Sequence, residues 1–133
     1  MNKIALYTYD SKGNDVFISK HLQAMEAFVK RSFGDDAKYD VFVDKTGLRG
    51  DREEFHMLME NVRKRQYTLL VVPHINRIYK PQYDMEIFME LVAEIENCGV
   101  QILDISQGST PQEISCHMND HIEAHTLNLP LSQ

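Results

Sequence analysis

The stretch "KIALYTYDSKGND", residues 3–15, decides how the chain is read. Its apolar run, Ile4 to Tyr9, has the length and character of a strand buried in a sheet. The run empties into Asp10, Ser11, Lys12 and Gly13. A serine beside a glycine at the end of a strand presents a phosphate site or a nucleophile, or it caps the helix that follows. Both readings of Ser11 stand at this point.

Working outward, residues 15–33 carry Ile18, Leu22, Met25 and Val29 at helical spacing. "YDVFVD", residues 39–44, alternates as a second strand, with Tyr39, Val41 and Val43 as its apolar side. After "KTGLRG", Asp51 is expected to cap a helix reaching about Gln66, with Phe55, Leu58, Met59 and Val62 on its buried face. "YTLLVVP" is a third, β-branched strand, and a polar loop leads to a helix from about Gln82 to Asn97, closed by Gly99. "VQILDIS" is a fourth strand. "TPQE", residues 110–113, has the capping-box pattern, and Ile114, Met118 and Ile122 then step by four along one helix face.

Four alternations of strand and helix imply an α/β fold: an open, mostly parallel sheet of four or more strands with helices on both faces. Residues 1–108 make up that domain, and residues 109–133 an amphipathic C-terminal helix and tail. In such sheets ligands sit outside the carboxyl ends of the strands. That rim comprises residues 9–13, 44–50, 73–80 and 106–110.

The 133 residues, 43% hydrophobic and 26% charged, suit one globular domain with a sizeable core. No stretch approaches the ~20 apolar residues of a membrane span. The amino terminus lacks the apolar core of a secretory signal, so no membrane association and a cytoplasmic location are expected. Cys98 and Cys116 make no disulfide framework. The formal net charge of −6 argues against strong nonspecific binding of nucleic acid. Yet Arg49, Arg52, Arg63, Lys64, Arg65, Arg77 and Lys80 all fall in the middle third, so a local basic site is compatible with the acidic total.

"LYTYDS" and "VVPHINRIYK" resemble two motifs of the serine recombinases, the resolvases and invertases. The resemblance runs over roughly residues 1–108 in order. Tyr7 matches the family's tyrosine and Ser11 falls where its nucleophile belongs. Asp44 matches the aspartate ending the second strand, Arg52 the arginine opening the second helix, and Arg77 the first arginine after the third strand. "ELVAEIENCGVQILDIS" is similar to the family's helix-Gly-Val-strand passage. The resemblance implies a catalytic domain acting on DNA through a phosphoserine link at Ser11. Arg52, Arg77 and Lys80 would stabilise the phosphoryl charge, positioned by Tyr7 and Asp44. No cofactor and no metal are implied. The C-terminal helix would serve dimerisation, as a homodimer or a hetero-oligomer with a recombinase, and lead to a DNA-reading domain; no basic helix-turn-helix-like module follows Asn128.

The departures matter chemically. Tyr9 stands where the family has arginine, Asn76 where an aspartate precedes Arg77, and Lys80 where the second arginine lies. Glu53 rather than proline follows Arg52, "TGLRG" replaces the usual Ser-Gly loop, and no Glu-Arg pair follows Thr110. Guanidinium forks suit a phosphoryl group, and losing one preorganised donor costs about 3–4 kcal/mol of transition-state stabilisation. Reduced or absent activity is therefore expected, and an inactive paralogue that dimerises with or regulates an active recombinase is the main alternative. A minor one is a flavodoxin-like site for FMN: "YDSKGN" is similar to that phosphate loop, but one residue short, with Asp15 for its closing threonine. A receiver domain fits less well, because the first strand ends in Asp10 alone. His117, His121 and His125 share zinc-compatible spacing without a second ligand cluster, so no metal is expected.

Overall fold

The computed structural model describes residues 3–108. The elements are β1 (Ile4–Tyr9), α1 (Asp15–Phe33), β2 (Tyr39–Asp44), α2 (Glu53–Arg63), β3 (Leu69–Val72), α3 (Met85–Asn97) and β4 (Gln101–Asp104), with a 3₁₀ turn at Ile75–Arg77. The strands form one sheet in the order β2-β1-β3-β4. All three pairings are parallel, with Ile4 opposite both Tyr39 and Leu69 and Leu69 opposite Gln101. The α/β expectation holds. The expected C-terminal helix, with His117, His121, His125 and Cys116, lies outside the described residues.

Alternation along β1 divides the core. Ala5, Tyr7 and Tyr9 face a cluster built from α2 and α3, including Phe55, Leu58, Val62, Phe88, Val92 and Ile95. Ile4 and Leu6 face Met25, Phe28 and Val29 of α1. Both faces of the two central strands are therefore covered, which is why β1 and β3 read as continuous apolar runs.

Three local expectations need correction. On β2 it is Phe42, not Val41, that is buried, and Val41 is exposed. As an edge strand, β2 is packed by α2 on one face, where Phe42 meets Tyr67 edge-on, while α1 leaves its other face partly open. Asp51 does not cap α2. The helix starts one residue after Arg52, which makes no side-chain capping bond; the α2 amides of Glu54 and Phe55 donate instead to Asp44, at 2.9 and 3.1 Å. Finally, α3 begins at Met85 rather than Gln82, because Asp84 is its cap, accepting from the Ile87 amide.

One wholly buried carboxylate organises the rim between β3 and β4. Asp104 accepts from the Ile75 amide at 2.8 Å and from the Ser106 amide at 2.9 Å. It thereby fixes the start of the 3₁₀ turn that leads into Arg77. No helix among the described residues is long and apolar enough to cross a membrane.

Asp104→Ala strands the buried Ile75 amide, and hydrogen bonds to a charged group are worth about 1.5–3 kcal/mol each. We expect a loss of about 3 kcal/mol, read as a lower urea midpoint with little change in slope, and a smaller loss for Asp104→Asn.

Candidate active site at the ends of β1 and β3

The chain passes from β1 outward to β2, then returns across β1 to β3. The crevice between the carboxyl ends of β1 and β3 is therefore a topological switch point, the usual ligand position of such a sheet. Ser11 follows β1 there, and His74 to Lys80 follow β3.

The loop after β1 is built around Asp10. Its carboxylate accepts from the amides of Lys12 at 3.2 Å and Asn14 at 2.8 Å, and Gly13 turns the chain at φ +63°. Asn14 caps α1 by accepting from the Val16 and Phe17 amides. Ser11 is thus not the cap; it sits exposed on the turn. The β2–α2 loop passes against it, and a Cβ on Gly47 would lie 3.1 Å from the Ser11 Cβ. Because Asp10 already takes the Lys12 and Asn14 amides, these donors are not available to a phosphate, which disfavours a flavodoxin-type use of the loop.

Tyr7, Asp44 and Arg52 come together below this rim. The Tyr7 hydroxyl donates to Asp44 Oδ2 at 2.7 Å and accepts from Arg52 Nε and Nη2 at 3.4 and 3.3 Å. Arg52 also donates to the carbonyls of Ile78 at 2.9 Å and Arg77 at 2.8 Å, and its guanidinium lies 3.8 Å over the Phe55 ring. The side chain is only 6% exposed. Burial pushes the Tyr7 hydroxyl far above its ordinary titration range; Arg52 opposes this and the bond to Asp44 adds to it. Tyr7 is accordingly a neutral bridge between a buried anion and a buried cation.

Arg77 also lies against Tyr9. Its guanidinium is 4.7 Å from the Tyr9 ring centre, with that of Arg52 at 5.9 Å, so the two cations meet around the ring that replaces the expected arginine. Arg77 donates to Asn76 Oδ1 at 3.3 Å, and its Nε is buried with no hydrogen-bond partner among the described residues. Lys80 is directed to Tyr83, with Nζ 5.2 Å from the ring.

Sequence reasoning missed three contributors. Asp10 and Asp104 were legible only as acids ending apolar runs, without the family resemblance that singled out Asp44. The third is His21 of α1, whose Nδ1 lies 2.8 Å from the hydroxyl of the fully buried Thr8. Burial and Arg77 hold the His21 pKa below its ordinary value, with Asp10 pulling the other way. Among the described residues no three His, Cys, Asp or Glu side chains are grouped to hold a metal ion.

A parallel 2-1-3-4 sheet covered by helices on both faces is the fold expected from the resolvase resemblance. Residues 11–125 match the family described as "Resolvase, N terminal domain", and the chain belongs to that family. No curated protein sequence matches it. Among solved structures it is similar to the N-terminal catalytic domain of TP901-1 integrase, at 12% identity over 98% of this chain and 99% of that one, with a TM-score of 0.73. It is also similar to a resolvase family site-specific recombinase from Streptococcus pneumoniae, at 17% identity over 99% of this chain and 94% of that one, with a TM-score of 0.64. The C-terminal catalytic domain of ISC1926 TnpA, an IS607-like serine recombinase, matches at 16% identity over 77% and 70% of the two chains, with a TM-score of 0.62. At these identities the structural likenesses establish the shared fold.

Arg52→Ala leaves two carbonyls and the Tyr7 hydroxyl without their donor, and should cost about 3–5 kcal/mol in urea unfolding. Tyr7→Phe, which leaves Asp44 its two helix amides but removes its buried hydroxyl donor and leaves Arg52 Nε without an acceptor, should cost about 2–3 kcal/mol. His21 gives a pH signature. Its folded pKa is depressed, so below about 6.5 the unfolded chain binds the extra proton, and this part of the stability is present above that pH and lost as pH falls. Unfolding curves between about pH 7.5 and about pH 5.5 should therefore fall more steeply for the wild type than for His21→Gln.

Proposed function

We propose that the domain serves site-specific DNA recombination, with Ser11 as the attacking group and Arg77 as the principal stabiliser of phosphoryl charge. In the step proposed, the Ser11 hydroxyl gives up its proton as Oγ bonds to the phosphorus of a DNA phosphodiester. The bond from phosphorus to one deoxyribose oxygen breaks, and that oxygen leaves as a hydroxyl. Rejoining is the reverse attack by a deoxyribose hydroxyl on the phosphoserine. The bond energy is conserved, so no cofactor is required.

The observation that carries this reading is Arg77. It is half-buried just after β3, the strand beside β1, which leads into the exposed Ser11 turn, and the side-chain hydrogen bond it makes among the described residues is to its neighbour Asn76. A phosphoryl oxygen is a natural acceptor for such a fork. Arg52 supports the reading differently: with its donors on Tyr7 and two backbone carbonyls, it acts here as a positioning residue for the loop that bears Arg77. One guanidinium in place of several implies slow chemistry.

A second reading, an inactive partner that assembles with an active recombinase, is favoured by the same engagement of Arg52 and by Tyr9 at a position where the family resemblance expects arginine.

Incubation with supercoiled DNA from the source genome, followed by denaturing electrophoresis, tests both. The first reading predicts a covalent protein–DNA adduct that Ser11→Ala abolishes and Arg77→Gln slows by about 100-fold or more. Absence of the adduct, with co-purification of a recombinase from source cells, would establish the second reading instead.

A further inference from the structure

Two basic side chains from different loops converge on one exposed ring. The guanidinium carbon of Arg49, from the β2–α2 loop, lies 4.4 Å from the centre of the Tyr83 ring, and Lys80 Nζ lies 5.2 Å from the same centre. Tyr79 braces that ring edge-on, at 6.4 Å and 83°. Tyr83 is 46% exposed, and Arg49 is exposed too.

Neither cation is neutralised. The ion pairs among the described residues are Lys45 with Asp15 and Arg63 with Glu94, so Arg49 and Lys80 have no carboxylate partner there. Two like charges on one ring repel, and the ring's quadrupole offsets this only in part. A bound anion would remove that cost. The chain's net charge of −6 opposes a polyanion overall, so what favours one here is the local pair of cations at the rim, beside the Ser11 turn of the DNA reading. An apolar ring beside it adds a surface for a sugar or base.

We propose that Arg49, Lys80 and Tyr83 form a cradle for a DNA backbone phosphate flanking the cleaved position, with the adjoining sugar against Tyr83. The cradle rests on the DNA reading above and extends it. It sets the path of the strand across the rim by tying the β2–α2 loop to the β3–α3 segment, and it takes no part in bond breaking. Arg49 and Tyr83 are its new members; Arg49 was read only as one of the basic residues of the middle third, and neither was among the catalytic residues read from the sequence.

The test is fluorescence anisotropy of the full chain with a fluorescein-labelled duplex of about 30 base pairs and arbitrary sequence, across a salt series. Arg49→Gln should weaken binding several-fold and reduce the slope of log affinity against log salt by about 0.9, the loss of one phosphate contact. Tyr83→Ala should also weaken binding, with a smaller change in slope. Arg31→Gln removes the same charge from the last turn of α1 and should do neither. If Arg49→Gln behaves as Arg31→Gln does while the wild type still forms its Ser11-dependent adduct, the cradle fails and the recombination reading survives. Arg49-dependent duplex binding without any adduct would support the cradle and remove the nucleophile. Arg49-dependent binding of inorganic phosphate with no binding of the duplex would overturn the assignment to DNA.

Discussion

The carboxylate of Asp44 is the joint on which the rim is hung. It closes β2 and takes three donors: the hydroxyl of Tyr7 from the neighbouring strand and the first amides of α2. A buried anion at a helix amino terminus is favoured by both the unpaired amides and the helix dipole. By setting where α2 begins, Asp44 sets where Arg52 stands, since that residue is the helix N-cap. The Tyr7 hydroxyl then relays between the two charges, which make no direct ion pair. The anion, the neutral phenol and the cation together form a buried polar chain whose members satisfy one another.

Asp104 performs the matching task on the far side of β3. Between them, the two acids and Arg52 grip the loop after β3 at both ends. Asp104 holds the Ile75 amide, and Arg52 holds the carbonyls of Arg77 and Ile78. An acid thus takes the loop's donor and a base takes its acceptors, so the 3₁₀ turn after β3 is hydrogen-bonded to the fold at both ends. The consequence falls on Arg77. Its backbone carbonyl and amide are both hydrogen-bonded and its side chain rests on Tyr9. Preorganisation of that kind is what electrostatic stabilisation of a developing charge requires.

Much of this was legible in the sequence, and for a physical reason. Parallel strands buried on both faces must be apolar throughout, so "IALYTY" and "LLVV" announced themselves, and their alternation with periodic helices fixed the class of fold. The face of β2 was not legible, because an edge strand is covered unequally and "YDVFVD" alternates plausibly in either sense. The cap of α2 was misread because its acceptor comes from a strand ten residues away rather than from Asp51 beside it. Tyr7, Asp44 and Arg52 were each singled out by family resemblance, but resemblance places a residue without saying where its donors go. Arg49 and Tyr83 were invisible as a pair, since only the folded rim brings their two loops together.

That distinction bears on what the rim can do. For Arg52 to turn its fork to a phosphate, it would have to abandon the carbonyls of Arg77 and Ile78 inside the protein. Each stranded acceptor costs about 1–3 kcal/mol, while a charged hydrogen bond to the new ligand returns about 1.5–3 kcal/mol. The exchange yields nothing for two bonds against two, and it also gives up the cation's contact with the Phe55 ring. Arg52 therefore stays with the fold unless the loop after β3 moves with it. Under the recombination reading, the phosphoryl charge falls to Arg77, and any second donor must come from a residue whose bonds are not already structural. At the position of Tyr9, where the family resemblance expects an arginine, an aromatic ring lies within cation–π range of both Arg52 and Arg77 and attracts each of them.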